Sequence, residues 1–586
     1  MADHEPIGNL DGTDAAVMDT TTTPHSSMLK TVLIVLGVAG LLAITRLPSI
    51  GFYPLNANEA IHAASAVRCS QTGQLPYVGA VGNGGPLQDW LYQLIFWFAG
   101  DYNIPAVHWV GALVVALNTA MVWHITSRCF GRYAGPSGAA LYLLAMGSRW
   151  EYLSFTCEMP ASLFLVAGAW LVLTARRPVG PIGCLLAGVL TMGAAAFRQN
   201  CLVAYPVVVL GVGALSWTYD RRLWPAIGRA ALAALGGMLP VAAVVLVYAR
   251  HDALGELAGG YFGFNTMYYV KAMPRAAVWV IVSLWQFSKW LDDAALITLL
   301  ALMGLVPALW RVGASSGPPD HVPNVHTPRP QGRYLAILTV ALFAGVCIGL
   351  RFGRHYRMLD WPFTAALAAG GWVLLLGQLR ERYARLTFRL AGTLVLAALG
   401  LCGDHAIYVP GPWAIVIGPV DAAPYVAGTA FRLRANTTPQ DSLFVWGCQP
   451  QIYLLAQRRM ATRFADCNPQ VGLIQMENSF PLDQDRSAWV WPDSFEQMMA
   501  DLRADPPAYV VDASQDMSFA LGRYPIGKFP ALAEWLEAGY VYDFQEGGQA
   551  ESVMVVYRRR DRAPTDLSRP VPYKAHGRPT SPEWNR

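Results

Sequence analysis

Residues Phe52–Gly100 read FYPLNANEAIHAASAVRCSQTGQLPYVGAVGNGGPLQDWLYQLIFWFAG and follow directly on the first apolar run. The stretch gathers Asn58, Glu59, His62 and Arg68 in what reads as one short helix beside a membrane span. Side chains three and four apart share a helix face, so Glu59 and His62 are expected as neighbours. A carboxylate and an imidazole at a membrane persist where water, charge or chemistry occupies the site. A Gly/Pro-rich turn over 79–86 follows, then an aromatic segment over 86–100. Leu87, Trp90, Leu91, Leu94, Ile95 and Phe98 form one stripe of that segment, away from Gln88, Asp89 and Gln93. Such a pattern fits a helix lying in the membrane interface; a short buried helix, or the start of a span, reads alike.

Outward from this loop the chain is apolar. Of 586 residues, 54% are hydrophobic and 14% charged, with mean hydropathy +0.32. Soluble domains carry about 25% charge, and a span needs roughly 20 apolar residues. Such runs lie near 29–46, 105–127, 135–149, 159–175, 180–197, 200–217, 227–249, 291–310, 334–350, 361–378 and 388–403. The expectation is a polytopic α-helical membrane protein with about 11 spans, apolar loop helices being able to imitate a span. The net charge of +4 is spread thinly, with no basic stripe that would indicate nucleic acid.

Orientation follows from Lys and Arg in short loops. With the N-terminus cytoplasmic, the inner loops are Arg128–Arg132, Arg176–Arg177, Arg221–Arg229, Arg311–Arg333 and Arg380–Arg389, all basic. The outward connections then hold Glu151, Glu158 and Glu256, and the C-terminal part lies outside. Arg198 and the Arg351–Arg357 cluster break the rule. Residues 1–28 read as a disordered cytoplasmic tail, 29–404 as the transmembrane module, 405–562 as an outward α/β domain and 563–586 as a flexible tail. The first apolar run, behind an acidic leader, reads as a retained anchor rather than a cleaved signal peptide. The outward domain alternates strands at 443–446, 508–512, 540–544 and 552–557 with helices at 450–457, 493–504 and 530–538, the pattern of a small α/β unit. It has no nucleotide-binding glycine loop. Nine cysteines show no metal spacing; Cys448 and Cys467 lie where oxidation is permitted, and whether they pair stays open.

Further polar residues fall on the same outer face. Glu158 precedes Pro160, which suits a first helical turn, so its carboxylate meets the positive end of the helix dipole. Arg198 ends a span, and RFGRHYRMLDWP offers Arg351, Arg354, His355 and Arg357 together. Arginine's fork suits phosphate, and a lipid phosphate sits at that depth, although headgroup anchoring alone gives the same pattern. Asn265, Tyr268 and Tyr269 in YFGFNTMYY combine amide and aromatic groups as a carbohydrate site would, or as an interfacial belt would. Carboxylates beside a phosphate-binding cluster fit glycosyl transfer from a lipid-phosphate sugar. A carboxylate would take the acceptor's proton, and the cations would stabilise the departing phosphate.

NANEAIHAASAVRCSQTGQLPY followed by GGPLQDWLY resembles the first outward loop of GT-C superfamily glycosyltransferases. The likeness is to bacterial glycosyltransferase family 39-like proteins, protein O-mannosyltransferases and the lipid A aminoarabinose transferase. CEMP, FRQN, FNTMYY and GRHYRMLDWP resemble later stations in the same order, over about residues 50–370. The resemblance implies an inverting transferase of the bacterial inner membrane with a periplasmic active site. It also implies a polyprenyl-phosphate-sugar donor, hexosyl or pentosyl, and a glycan, lipid or protein acceptor. Implied site residues are Glu59, Glu158 and position 58 for catalysis, and His62, Arg198, Asn265, Tyr268, Tyr269, Arg351, Arg354, His355 and Tyr356 for substrate. A divalent metal ion assists some relatives; Glu59, His62 and Glu158 could supply ligands, and no spacing demands one. Two departures stand out: Asn58 replaces the family's first acidic residue, and GGPL replaces a lysine-bearing KPPL turn. Asn58 cannot accept a proton at neutral pH, so either Glu59, whose carboxylate His62 one turn on could hold, or Glu158 carries the base role, with Glu59 favoured, or the activity is reduced or altered. The rivals are a transporter or flippase for a lipid-linked anion, which would place charges in mid-span, and a non-catalytic membrane scaffold.

Overall fold

The computed structural model describes residues 24–50, 56–82, 84–132, 134–263, 284, 287–288, 295–309, 330–347, 353–382, 424–472, 490–515, 524–547 and 553–568. The membrane part is a bundle of α1 (Pro24–Arg46), α4 (Ile104–Phe130), α5 (Ala134–Gly147), α6 (Glu158–Leu173), α7 (Pro181–Phe197), α8 (Ala204–Asp220) and α9 (Leu223–Ala249). A short α10 (Leu254–Ala258) precedes α11 (Ala295–Leu309), α12 (Pro330–Cys347) and α13 (Arg357–Arg382). Among the described residues five helical stretches are long and apolar enough to cross a membrane: Ile104–Phe130, Gln199–Asp220, Leu223–Ala249, Pro330–Cys347 and Arg354–Leu376. Four shorter apolar helices, Thr31–Arg46, Glu158–Leu173, Pro181–Phe197 and Ala295–Leu305, sit among them. At about 1.5 Å per residue a 16-residue helix is shorter than a roughly 30 Å hydrocarbon layer, so among the described residues five of the expected spans meet the length. The run 388–403 lies outside the described residues. The bundle's flank is apolar: only 17% of the most apolar window of α9 is buried, and Trp224, Leu235, Leu239 and Leu246 are exposed. This is a surface for lipid.

Between the bundle and the C-terminal unit lies α2 (Ala57–Thr72), followed by α3 (Pro86–Ala99). Asn56 caps α2, its side chain accepting from the Glu59 N–H at 2.9 Å. Gly73 stops it in the left-handed region at φ 67°. Ala57, Ala60, Ala63, Ala64 and Ala66 are all buried, and such small side chains let the helix be covered all round. It packs on α3 on one side and on the C-terminal unit on the other. In α3 the polar face turns inward: Gln88 and Asp89 are buried, while Leu94, Trp97 and Phe98 are exposed, as an interfacial helix resting on protein requires.

The C-terminal unit is a five-stranded sheet of order β2-β1-β3-β5-β4, with β1 Ser442–Trp446, β2 Arg459–Met460, β3 Tyr509–Asp512, β4 Tyr540–Gly547 and β5 Val553–Arg559. β1 pairs parallel with β2 and β3, and β5 pairs antiparallel with β3 and β4. The parallel strands β1 and β3 are buried along their whole length, as strands covered on both faces are. Helices Pro424–Ala435, Gln451–Ala456, Ser494–Ala504 and Pro530–Gly539 accompany the sheet. The two-residue β2 and the helix Pro424–Ala435 are absent from the sequence expectation. Cys448 and Cys467 are both buried, with no disulfide between them.

Arg68 joins the two parts. Nine residues beyond Glu59 it points about 180° away around the helix axis, toward the sheet. Its Nε donates to the Gly79 carbonyl at 2.7 Å, one terminal nitrogen to the Met460 carbonyl at 2.6 Å, and the other lies 3.8 Å from Asp501. Asp501 also holds Arg463, whose own backbone carbonyl accepts from the Val81 N–H. Burial pulls the Arg68 guanidinium below its ordinary value, and Asp501 pushes the other way. Charge-assisted bonds are each worth on the order of 1.5–3 kcal/mol. Arg68→Ala is therefore expected to melt at lower temperature in detergent than Arg68→Lys or the parent, and to release the C-terminal unit faster under limited proteolysis. Equal proteolysis rates would show that Arg68 is not the tie.

Candidate active site

The site is built where α2, the 79–85 turn, the start of α6, the end of α7 and the start of α13 converge. Phe155, in the loop before α6, organises one side. Its N–H donates to Glu59 Oε1 at 2.9 Å, and its carbonyl accepts from Tyr92 at 2.8 Å and Gln88 at 3.2 Å. The same Glu59 oxygen meets His108 Nε2 of α4 at 3.0 Å, and Glu59 is fully buried. His62, one turn on, leaves Glu59 alone and pairs through Nδ1 with Asp89 Oδ1 of α3 at 2.9 Å. Glu59 and His62 share a sector of the helix, and each takes its hydrogen-bond partner from a different element.

Glu158 opens α6 with Pro160 in its first turn, as its sequence predicts. Its Oε1 lies 3.1 Å from Arg198 Nε, the residue that caps α7, and 3.8 Å from His355 Nε2. Arg198 rests over the Tyr356 ring at 4.7 Å and approaches Cys157 Sγ at 3.6 Å. Arg354 meets Glu151 at 3.6 Å. Glu158 and Arg198 are buried, while Arg354 and His355 keep 33% and 16% of their side chains exposed and form the open rim. Arg357 does not join this cluster. It turns into the bundle, onto Asp360 at 3.6 Å and over Trp361 at 3.6 Å, because it starts α13 and its i+3 carboxylate lies inside.

The turn binds these halves. The Gly85 N–H donates to the Phe197 carbonyl at 2.8 Å, and a Cβ there would stand 2.0 Å from the Ala196 carbonyl oxygen. A Cβ on Gly84 would stand 2.7 Å from His62 Cε1, 3.0 Å from Nε2 and 3.4 Å from the Cys157 Cβ. Only glycine lets the turn lie against both the imidazole and the end of α7.

Of the expected residues, the structure brings Glu158, Arg198, Arg354, His355 and Tyr356 together, with His62 across the turn and Glu59 behind the Phe155 loop. Asn58 is half-buried on α2. Asn265, Tyr268, Tyr269 and Arg351 lie outside the described residues. For the candidate divalent ion, Glu59, His62 and Glu158 face His108, Asp89 and Arg198 respectively, and no group of three potential ligands is assembled among the described residues. Sequence reading passes over Asp89, His108 and Phe155. An ionisable residue inside an apolar span, as His108 is, marks a function or a partner by default, and that signal was available. Asp89 lies off the apolar stripe of α3, and that pattern alone does not show that this face is the buried one.

No protein-family model and no curated protein matches the chain. Its fold matches solved structures. ArnT from Cupriavidus metallidurans bound to undecaprenyl phosphate aligns with TM-score 0.53 at 13% identity, over 90% of this chain and 98% of that one. The oligosaccharyltransferase AglB from Archaeoglobus fulgidus, with an inhibitory peptide and a dolichol-phosphate, aligns with TM-score 0.49 at 13% identity, over 93% and 75%. The chain shares its fold with ArnT from Cupriavidus metallidurans.

Glu59 and His108 form a buried pair, so removing either strands the other. Glu59→Ala and His108→Ala are each expected to cost about 1–3 kcal/mol of stability. The double variant should lose less than the sum, with coupling on the order of 0.5–3 kcal/mol. Strictly additive shifts in thermal melts would show the two residues to be independent.

Proposed function

We propose that this chain transfers a hexosyl or pentosyl unit from a polyprenyl-phosphate donor to a hydroxyl of a glycan, lipid or protein acceptor, with inversion. The observation that carries the reading is the Glu158–Arg198–His355 cluster with Arg354 on its rim, in a fold shared with a structure bound to undecaprenyl phosphate. The acceptor oxygen attacks the anomeric carbon as the carbon–phosphate-oxygen bond breaks, and one displacement inverts the centre. Arg354 and His355 face outward and meet the charge that builds on the departing phosphate. Arg198 backs them, its guanidinium steered by Glu158 and Tyr356. Holding donor and acceptor in line supplies much of the acceleration.

Glu59 and Glu158 are the bases expected from the sequence. We assign them other work: Glu59 anchors α4 and the Phe155 loop to α2, and Glu158 orients Arg198 and His355. The active face is the periplasmic side of a bacterial inner membrane, with the N-terminus cytoplasmic and the C-terminal unit outside, an assignment supported by the basic loops of the opposite face.

Arg354→Ala and His355→Ala are each expected to weaken binding of undecaprenyl phosphate by roughly 10- to 100-fold, one charge-assisted bond being worth about 1.5–3 kcal/mol. Unchanged affinity in folded protein would reduce the cluster to headgroup anchoring. Reporter fusions after residue 220 should read cytoplasmic and those after residue 410 periplasmic; a cytoplasmic reading at 410 removes the outward site.

A further inference from the structure

We infer that His62, held by Asp89, is the group that takes the acceptor's proton; the inference rests on the glycosyl-transfer reading above and supplies the base that reading leaves open. A carboxylate only accepts hydrogen bonds, so the 2.9 Å contact of Asp89 Oδ1 with His62 Nδ1 requires the proton on Nδ1. The neutral ring then carries its lone pair on Nε2. That atom is buried and has no hydrogen-bond partner among the described residues, although a buried polar atom without a partner costs free energy. The ring itself is 1% exposed and lies near-parallel to Tyr92, centroids 6.5 Å apart and planes 20° apart. Its direction is therefore set by packing as well as by Asp89.

The Cε1–Nε2 edge packs against Gly84, where a Cβ would stand 3.0 Å from Nε2 and 3.4 Å from the Cys157 Cβ. Cys157 immediately precedes Glu158 and touches Arg198. The lone pair thus sits across a side-chain-free turn from the anion cluster. Of the two carboxylates nearby, Glu59 accepts from His108 and the Phe155 N–H, and Glu158 stands in an ion pair with Arg198 at 3.1 Å. A carboxylate neutralised by arginine is a weaker base than an imidazole whose partner is itself a carboxylate.

The step balances within one displacement. The acceptor hydroxyl oxygen bonds to the donor's anomeric carbon, and the bond from that carbon to the phosphate oxygen breaks, its electron pair leaving with the phosphate. The hydroxyl proton passes to His62 Nε2, and the imidazolium formed is stabilised by the Asp89 carboxylate until it returns the proton to water. His62 is the catalytic residue of this step and Asp89 its positioning residue.

The test uses purified full-length variants added to membranes from a strain deleted for this chain, which supply the native donor and acceptor. Sugar addition is read by mass spectrometry, and binding of undecaprenyl phosphate is measured separately. His62→Gln and His62→Ala are expected to bind undecaprenyl phosphate as the parent does and to transfer about 100-fold more slowly or worse. Added imidazole should restore part of the His62→Ala rate. Asp89→Asn should lower turnover about tenfold without changing binding, and Gly84→Ala, whose methyl collides with the ring, should act in the same direction. Parent-like transfer by His62→Gln, with Glu59→Gln or Glu158→Gln inactive, returns the base role to a carboxylate and overturns the proposal. Equal loss of undecaprenyl phosphate binding and transfer in His62→Gln overturns it too, making His62 a donor contact. If the parent itself adds no sugar to these membranes while still binding undecaprenyl phosphate, the glycosyl-transfer reading fails, and the dyad's role with it.

Discussion

A buried charge without a partner is too costly to keep, and α2 carries three ionisable groups inside the molecule. Glu59, His62 and Arg68 are each at most 7% exposed. Each therefore fixes a neighbour: Glu59 draws in α4 and the loop before α6, His62 draws in α3, and Arg68 draws in the 79–85 turn and the sheet. Because Arg68 stands opposite Glu59 on the helix, one segment of 16 residues pins the bundle to the C-terminal unit. The alanines between those side chains keep α2 thin enough to be enclosed.

The chemistry inherits its geometry from this arrangement. With α2 and α3 fixed, the glycine turn is pressed against the end of α7, where a Cβ at residue 85 has no room. Gly84 in that turn lies against both the His62 edge and Cys157, with the Asp89–His62 pair on one side of it and the Cys157, Arg198 and Glu158 contacts on the other. One side offers a lone pair and the other offers cations at an open rim. Loss of an acidic residue at position 58 is tolerable if the base lies one helical turn further along the same helix.

Much of this was legible in the sequence and part was not. The apolar runs, the break in composition before the C-terminal unit, and most of its strands follow from periodicity. Glu158 at a helix start and Arg198 at a helix end follow from Pro160 and from the end of an apolar run. What a single sequence does not carry is which buried polar group meets which. Glu59 and His62 satisfy the three-apart rule, yet His108 and Asp89, 49 and 27 residues away, take them. Likewise Arg357 reads as one more cation of a cluster, and only the presence of Asp360 inside the bundle turns it away. Of the expected spans, five among the described residues have the length and apolarity to cross a bilayer; shorter apolar helices of 14–17 residues carry the same apolar signal in sequence, which does not report helix length.

The most direct measurement is a structure of the protein with undecaprenyl phosphate. The phosphate is expected within about 3 Å of Arg354 or His355, beside the Gly84 turn and on the side of Arg198. A phosphate bound at the opposite end of the bundle, by Arg128, Arg132 or Arg221, would contradict the assignment of the active site.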